Sequence, residues 1–579
     1  RKEHPLVIFL DDLQWSDSAS LNLLKLLMSE ANSQYLFLIG AYRDNEVNPA
    51  HPLMLKLDEM EKQKVIVNTI TLAPLQQNDL NQLIADTLHC SLKQALPLTQ
   101  AVYQKNKGNP FFATQFLKAL HEDKFIHFNL EEGIPPQSPL NKGGGWQCDL
   151  AQVKLAAISE DVVEFVGKRL QKLDNLTQDV LKMAACIGNE FDLETLAIVR
   201  QTSEVETATD LWQALKEGLI LPTTEVYKFY TDKTQEIQLK IDDNLSASYK
   251  FLHDRVQQAA YSLIPEDQKK KTHFKIGQLL LKNIPESEIE ERIFEIVNQL
   301  NYGVELITEQ KDKDELAQLN LIACRKARSA TAYQAGREYA NIGLSLVGEN
   351  SWKRQYEISL TFHELAAELA LLCGDFEAME QYIETVIEQA QSLLEKVDVY
   401  RIRIQSYASQ NQLTEAIAIA QQFLQQLGVT FPETVTPDDI QNSILEIEEL
   451  IGEREIEDFV DLPRMTDRET IATVQIANSV MAPASISGSP LFPLLVALSV
   501  KLSIQYGNTS ASVLAHACYG IITCNMQQDI NIGVKFGNLA LRVASLLDVK
   551  AVKPEIFIVA GLFILHRKSH IKETQLLLK

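Results

Sequence analysis

The chain lacks most of what would place it outside the aqueous phase or in an oxidising compartment. It has no CxxC pair, and its seven cysteines are scattered from Cys90 to Cys524. An odd, sparse count suits reduced thiols better than a disulfide framework or a zinc site, and points to the cytoplasm. No apolar run is long enough to span a bilayer, which takes about 20 residues. Pro490–Ile504 is too short and is interrupted by Lys501, and Ile556–Leu565 is shorter still. Positive charge is scarce: 54 Lys and Arg stand against 77 Asp and Glu, a net charge of -23 that would repel a nucleic-acid backbone or an anionic membrane. The kinase signatures HRD and DFG are absent, as are HExxH and GxSxG. There is also no GxxxxGK[ST], the loop whose backbone N–H groups and lysine cradle phosphates. The Gly143–Gly145 run lacks the Lys-Ser/Thr.

What is present reads as several soluble domains. At 579 residues, 46% apolar and 23% charged, the composition is that of folded globular protein, and the length allows about four domains. The opening RKEHPLVIFLDD has neither an initiator Met nor a signal-peptide pattern, and the final SHIKETQLLLK stops within a helical apolar period. The expectation is a piece of a longer protein, missing sequence at both ends.

Leu6–Leu10 and Tyr35–Tyr42 are continuous apolar runs, and Asp17–Ala31 between them carries Leu at helical spacing after the N-cap candidate Ser16. Strand, helix, strand predicts a crossover in a parallel sheet, with functional loops at the strands' carboxyl ends. Asp11, Asp12 and Arg43 fall there. A third β-rich run, Val65–Leu72, precedes helical sequence up to Phe125. Leu130–Gln147, containing GIPPQSPLNKGGGW, has no periodicity and reads as a flexible insertion. Short helical patterns from Ile158, followed by β-compatible segments around Gly218–Pro222 and Gln235–Ile241, suggest a winged helix. From Leu279 the pattern is helical. AYQAGREYA, GDFEAMEQYI and NQLTEAIAIA, around Tyr333, Phe376 and Leu413, recur 43 and 37 residues apart, close to helix-pair repeat lengths. An irregular helical bundle is the alternative.

An apolar strand ending in two carboxylates is what a nucleotide hydrolase needs, one acid holding Mg²⁺ and the other orienting water. A carboxylate at that place equally begins a loop or caps the next helix. Read together, DDLQWSD (Asp11–Asp17) and AYRDNEV (Ala41–Val47) resemble the ATPase region of STAND-type switch proteins. These are relatives of AAA ATPases found in large bacterial transcription regulators and multidomain sensor kinases. The resemblance implies that Asp11 and Asp12 form the Walker B motif, with Asp11 on the metal, and that Arg43 belongs to a sensor region near the phosphates. A surface ion pair of Arg43 with Asp44 or Glu46 is the plainer reading. In KGNPFF, Gly108, Asn109 and Pro110 match a GxP motif whose proline contacts adenine; turn glycine, N-cap and first-turn proline describe the same residues as a helix start. In FLHDRVQQAAYSLIP, Leu252, His253 and Asp254 resemble the MHD-type motif at the end of the winged helix, with Leu in place of Met. That histidine is implied to contact the terminal phosphate of bound diphosphate, an anion an imidazole N–H can serve. A local hydrogen bond is the alternative for the His-Asp pair. The phosphate loop is expected upstream of Arg1. Asp12 is one methylene shorter than the Glu of faster ATPases, which fits slow turnover.

The fold class expected is α/β followed by mostly α. Residues 1–75 are the rear half of a P-loop NTPase sheet, 76–129 a helical lid, 130–157 a linker, 158–278 a winged helix and 279–579 a solenoid resembling tetratricopeptide repeats. This order is similar to that of cyanobacterial-type multidomain serine/threonine and sensor histidine kinases. It implies an ATP/ADP- and Mg²⁺-dependent signalling switch that can oligomerise and whose repeats engage a protein partner or ligand. The alternatives are a degenerate ATPase serving as a protein-binding scaffold and an ATP-dependent regulator of the large LuxR type. The basic run Lys269–Lys271 reads as a solvated helix face.

Overall fold

Two β-branched and leucine-rich runs, Leu6–Leu10 (β1) and Leu36–Gly40 (β2), pair in parallel with Leu6 opposite Leu36 and Leu10 opposite Gly40. The helix Ser18–Ser29 makes the crossover, burying Leu21 with Leu13 and with Leu53 of the helix Pro52–Lys62. The structure, a computed structural model, describes residues 4–16, 18–29, 35–44, 47, 51–63, 65–129, 145–158, 167, 169–224, 226–227, 247–348, 350–547, 553–570 and 574. Packing divides the chain into two compact units, Arg1–Thr308 and Glu309–Lys579.

In the first unit the β-rich run Val65–Leu72 forms no strand. Its backbone pairs with no neighbouring strand among the described residues, and Ile66, Ile70 and Leu72 project into solvent, so propensity alone does not order it. Three capped helices follow, Gln77–Thr87, Leu92–Asn106 and Pro110–Glu122, around Leu80, Ile84, Leu98, Val102 and Phe116. Residues 130–144 of the expected insertion lie outside the described residues. The end of that stretch departs from an aperiodic loop: Gly145–Cys148 (β4) pairs antiparallel with Ile126–Asn129 (β3), Trp146 opposite Phe128.

The next core is built by the helices Asn175–Ile187, Leu193–Arg200 and Glu204–Lys216 and by a three-stranded antiparallel sheet. Its strands are Glu190–Asp192 (β5), Ile220–Pro222 (β6) and Ser248–Phe251 (β7), in the order β5-β7-β6. The expected β segment at Gln235–Ile241 lies outside the described residues; the described central strand is Ser248–Phe251, whose Tyr249 and Phe251 are fully buried. The helix Asp254–Ser262 leaves this strand directly, and Glu266–Asn283 and Ile293–Tyr302 complete the unit.

In the second unit the recurrences are helix pairs: Gln310–Ser329 with Tyr333–Val347, Tyr356–Leu372 with Phe376–Gln389, and Val397–Ser409 with Leu413–Gln426. Each pair turns through one left-handed residue, Thr331 (φ 59), Gly374 (φ 78) and Asn411 (φ 61). These lie at the same 43- and 37-residue spacing as the sequence recurrences. Beyond Thr436 the helices thicken into a bundle whose core includes Phe459, Val500, Tyr519, Phe536 and Val543. Gly520 and Gly533 let two of these helices, Ser512–Ile522 and Ile530–Leu546, touch backbone to backbone: a Cβ on either would lie 2.8 Å from the other's carbonyl oxygen. No described helix is long and apolar enough to cross a membrane.

Candidate functional site

The parallel ladder of β1 and β2 delivers both strand ends to one place. Ala41 N–H donates to the Leu10 carbonyl (2.8 Å) and Leu13 N–H to the Ala41 carbonyl (2.9 Å), so the chain after β1 curls over the end of β2. That curl needs Asp12 in the left-handed region (φ 54, ψ 39), which aspartate tolerates better than most residues. The Asp12 N–H is held by the Asp11 carboxylate at 3.0 Å, and the rest of the Asp11 side chain faces solvent.

Gln14 ties the loop together. It is buried to 5% exposure; its amide nitrogen donates to the Asp12 carboxylate (2.8 Å) and its oxygen accepts the Arg43 N–H (3.2 Å). Sequence reasoning quoted Gln14 within DDLQWSD and gave it no role. The signal is chemical: a glutamine amide two residues past the acid can donate to a carboxylate and accept from a backbone N–H at once.

Arg43 projects from the end of β2 with its Nε 3.5 Å from Asp12 and its terminal nitrogen bonded to the carboxylate of Asp254, 211 positions along the chain. Asp254 is the first residue of the helix Asp254–Ser262, and His253 is its N-cap. The His253 Nδ1 accepts the Arg255 N–H at 3.1 Å, which leaves the ring proton on Nε2. The ring stacks on Phe111 with centroids 4.6 Å apart and planes 20° apart, and Phe112 lies at 6.2 Å. Burial pushes the His253 pKa below its ordinary value; Arg43 and Arg255 add to the fall and Asp254 opposes it.

Phe111 sits where it does because of the KGNP turn. Gly108 takes φ 87 against Leu75, whose carbonyl oxygen would be 2.0 Å from any Cβ at that position. Asn109 caps the helix by accepting the Phe112 N–H (3.2 Å), and Pro110 occupies its first turn. The structure therefore brings Asp12, Arg43, Asp254 and His253 into one contiguous chain of contacts, with Asn109 and Pro110 adjoining it through the Phe111 ring. Asp11 stands at its solvent edge. Among the described residues no group of three or more His, Cys, Asp or Glu side chains forms a ready metal cage.

Residues 1–39 match the AAA ATPase domain family. The chain is 25% identical over 565 residues to hybrid signal transduction histidine kinase G of Dictyostelium discoideum, covering 88% of this chain and 16% of that protein. It is 24% identical over 172 residues to the peroxide stress-activated histidine kinase mak3 of Schizosaccharomyces pombe, covering 28% of this chain and 7% of that protein. The chain thus spans only a small part of these relatives, and both come from eukaryotes. Among solved structures it aligns with a signal transduction ATPase with numerous domains carrying a tetratricopeptide repeat sensor, from Pyrococcus horikoshii. That alignment has 11% identity and a TM-score of 0.38, and covers 99% of this chain and 73% of that one. The chain is thus similar to the AAA ATPase domain family over residues 1–39 and, along most of its length, to a hybrid signal transduction histidine kinase.

Proposed function

We propose that this chain is the nucleotide-gated switch module of a larger signalling kinase, its helical repeats sensing a partner or ligand. The observation that carries the reading is the Arg43–Asp254 ion pair. It joins the loop after β2, just beyond the segment that matches the AAA ATPase domain family, to the helix that follows the three-stranded sheet, here taken as a winged helix.

The residues present suit a phosphate partner in chemical type. Arg43 is a planar, permanently charged donor and His253 offers an Nε2–H, while Asp11 leaves a carboxylate in solvent where a cation could be bound. Mg²⁺ with nucleotide would supply positive charge that neutralises the phosphates. Arg43 then faces a choice, because the guanidinium that would contact a terminal phosphate is already engaged by Asp254. Nucleotide with a third phosphate would compete with Asp254 for Arg43, and nucleotide without it would leave the pair intact with His253 near the end of the shorter chain. Such a gate works only through differential affinity for the two states. Asp12, held by Gln14, would orient water.

The bare strands support a second part of the proposal. Leu6, Val7, Phe9 and Phe37 are exposed on β1 and β2, whereas parallel sheets are ordinarily covered on both faces. We take the phosphate loop and its covering helices to be supplied by sequence outside this chain. The rival reading is a degenerate remnant that serves as a scaffold, favoured by the same saturation of Arg43. The test is calorimetric titration of ADP and ATP with Mg²⁺ into a longer protein bearing the phosphate loop. Tight ADP binding that weakens in His253→Ala supports the switch; no binding of either nucleotide leaves the scaffold.

A further inference from the structure

The helical unit contains a pocket of about 530 Å³ whose lining belongs to none of the residues discussed above. Its walls come from the helices Tyr333–Val347, Ser351–Arg354, Tyr356–Leu372 and Phe376–Gln389, and three rings face it: Trp352, His363 and Tyr382. His363 stands between the other two, its centroid 5.1 Å from Trp352 and 6.1 Å from Tyr382. A volume of this order is that of small-molecule sites, typically about 300–1,000 Å³.

The polar atoms are arranged with a defined sense. The His363 Nδ1 lies 2.7 Å from the Ser359 carbonyl, which can only accept, so the proton sits on Nδ1 and Nε2 is a bare acceptor. Burial lowers the His363 pKa, which keeps that acceptor available at neutral pH. The Tyr382 hydroxyl donates to the Asn341 side-chain Oδ1 at 2.8 Å, orienting the Asn341 amide at the rim. No described residue lining the pocket is charged. The nearby guanidinium of Arg354 is engaged by Asp314 and, at 2.8 Å, by the Val347 carbonyl. Among the described lining an anionic ligand would find no counter-charge and a cationic one no carboxylate.

We propose that this pocket binds an uncharged, planar heteroaromatic molecule, packed against the Trp352 and Tyr382 rings and donating a ring N–H to His363 Nε2. The site stands whether or not the first unit is a nucleotide switch, since binding is read directly. Indole and indene share a fused bicyclic frame and differ in the N–H, so ligand-observed NMR titration of the whole chain with each isolates that one bond. Indole should bind and indene should bind roughly five- to tenfold more weakly, the worth of one net hydrogen bond. His363→Phe keeps a ring and should abolish that preference; Trp352→Leu should weaken both probes about tenfold through lost stacking area. Equal affinity for the two probes, no binding of indole up to several millimolar, or tighter binding of tetramethylammonium or of a tryptophan-containing peptide would each overturn the proposal.

Discussion

Apolar residues are spent differently in β1–β2 and in the bundle beyond Thr436. Phe9 is 61% exposed and Phe37 60%, on strands as hydrophobic as any in the chain, whereas Phe459, Tyr519 and Phe536 are essentially inaccessible. A helical bundle or repeat closes its core with neighbours adjacent in sequence, so each element is complete once the next has formed. A parallel strand pair reaches saturation only when further strands and helices arrive from elsewhere. The exposed apolar surface is therefore an unfilled requirement of the sheet, and the closed bundle is a self-sufficient body.

That contrast can be broken or sharpened by substitution. Phe536→Ala in the bundle should cost about 3–5 kcal/mol by removing a ring from a closed core, read as a loss in chemical-denaturation midpoint. Phe9→Ser on β1 should leave the stability of the same chain within about 0.5 kcal/mol. A large loss for Phe9→Ser would show that the strand is covered.

The next effect is set by pH. His516, fully buried in the bundle, donates from Nε2 to the Asn508 side-chain Oδ1 (3.0 Å), its Nδ1 has no partner, and burial lowers its pKa to about 4 from 6.5. The unfolded chain binds the proton more readily, so the stabilisation is complete above about pH 6.5 and drains away as pH falls toward 4. The loss is about 3 kcal/mol at most. Denaturation curves at pH 7.5 and 4.5 should diverge more for the wild-type chain than for His516→Gln.

Smaller changes follow at the strand ends and the repeat turns. Asp254→Asn should cost only about 1 kcal/mol, because Arg43 is 37% exposed and solvent screens the pair; thermal melts at low and high salt should differ less in the variant. Thr331→Gly should stabilise the first helix-pair turn by up to about 1 kcal/mol, since a β-branched residue at φ 59 is strained where Gly374 is at ease. An unchanged or lower melting temperature would argue that the turn is anchored otherwise.

Much of the local structure was legible in sequence. The parallel pair shows in its apolar runs and the helix pairs in the spacing of their recurrences, because both depend on neighbours within a few tens of residues. Val65–Leu72 misled: β-branched residues state a preference that only a partner strand can satisfy, and none pairs with it among the described residues. The motifs nominated Asp12, Arg43 and His253 separately. They could not show that Arg43 meets Asp254, that Gln14 clasps both strand ends, or that Phe111 carries the His253 ring. These contacts span up to 211 positions and are written in the packing of three separate helices and sheets.

The central claim is that Asp254 and a terminal phosphate compete for Arg43. The direct measurement is the ratio of ATP to ADP affinity, by calorimetry with Mg²⁺, in the longer protein with the phosphate loop and in its Asp254→Asn variant. If Asp254 is the gate, the variant binds ATP roughly fivefold or more tightly while ADP affinity changes little, in keeping with a coupling of about 1 kcal/mol. An unchanged ratio, or a loss of both affinities together, would mean that the ion pair only holds the fold.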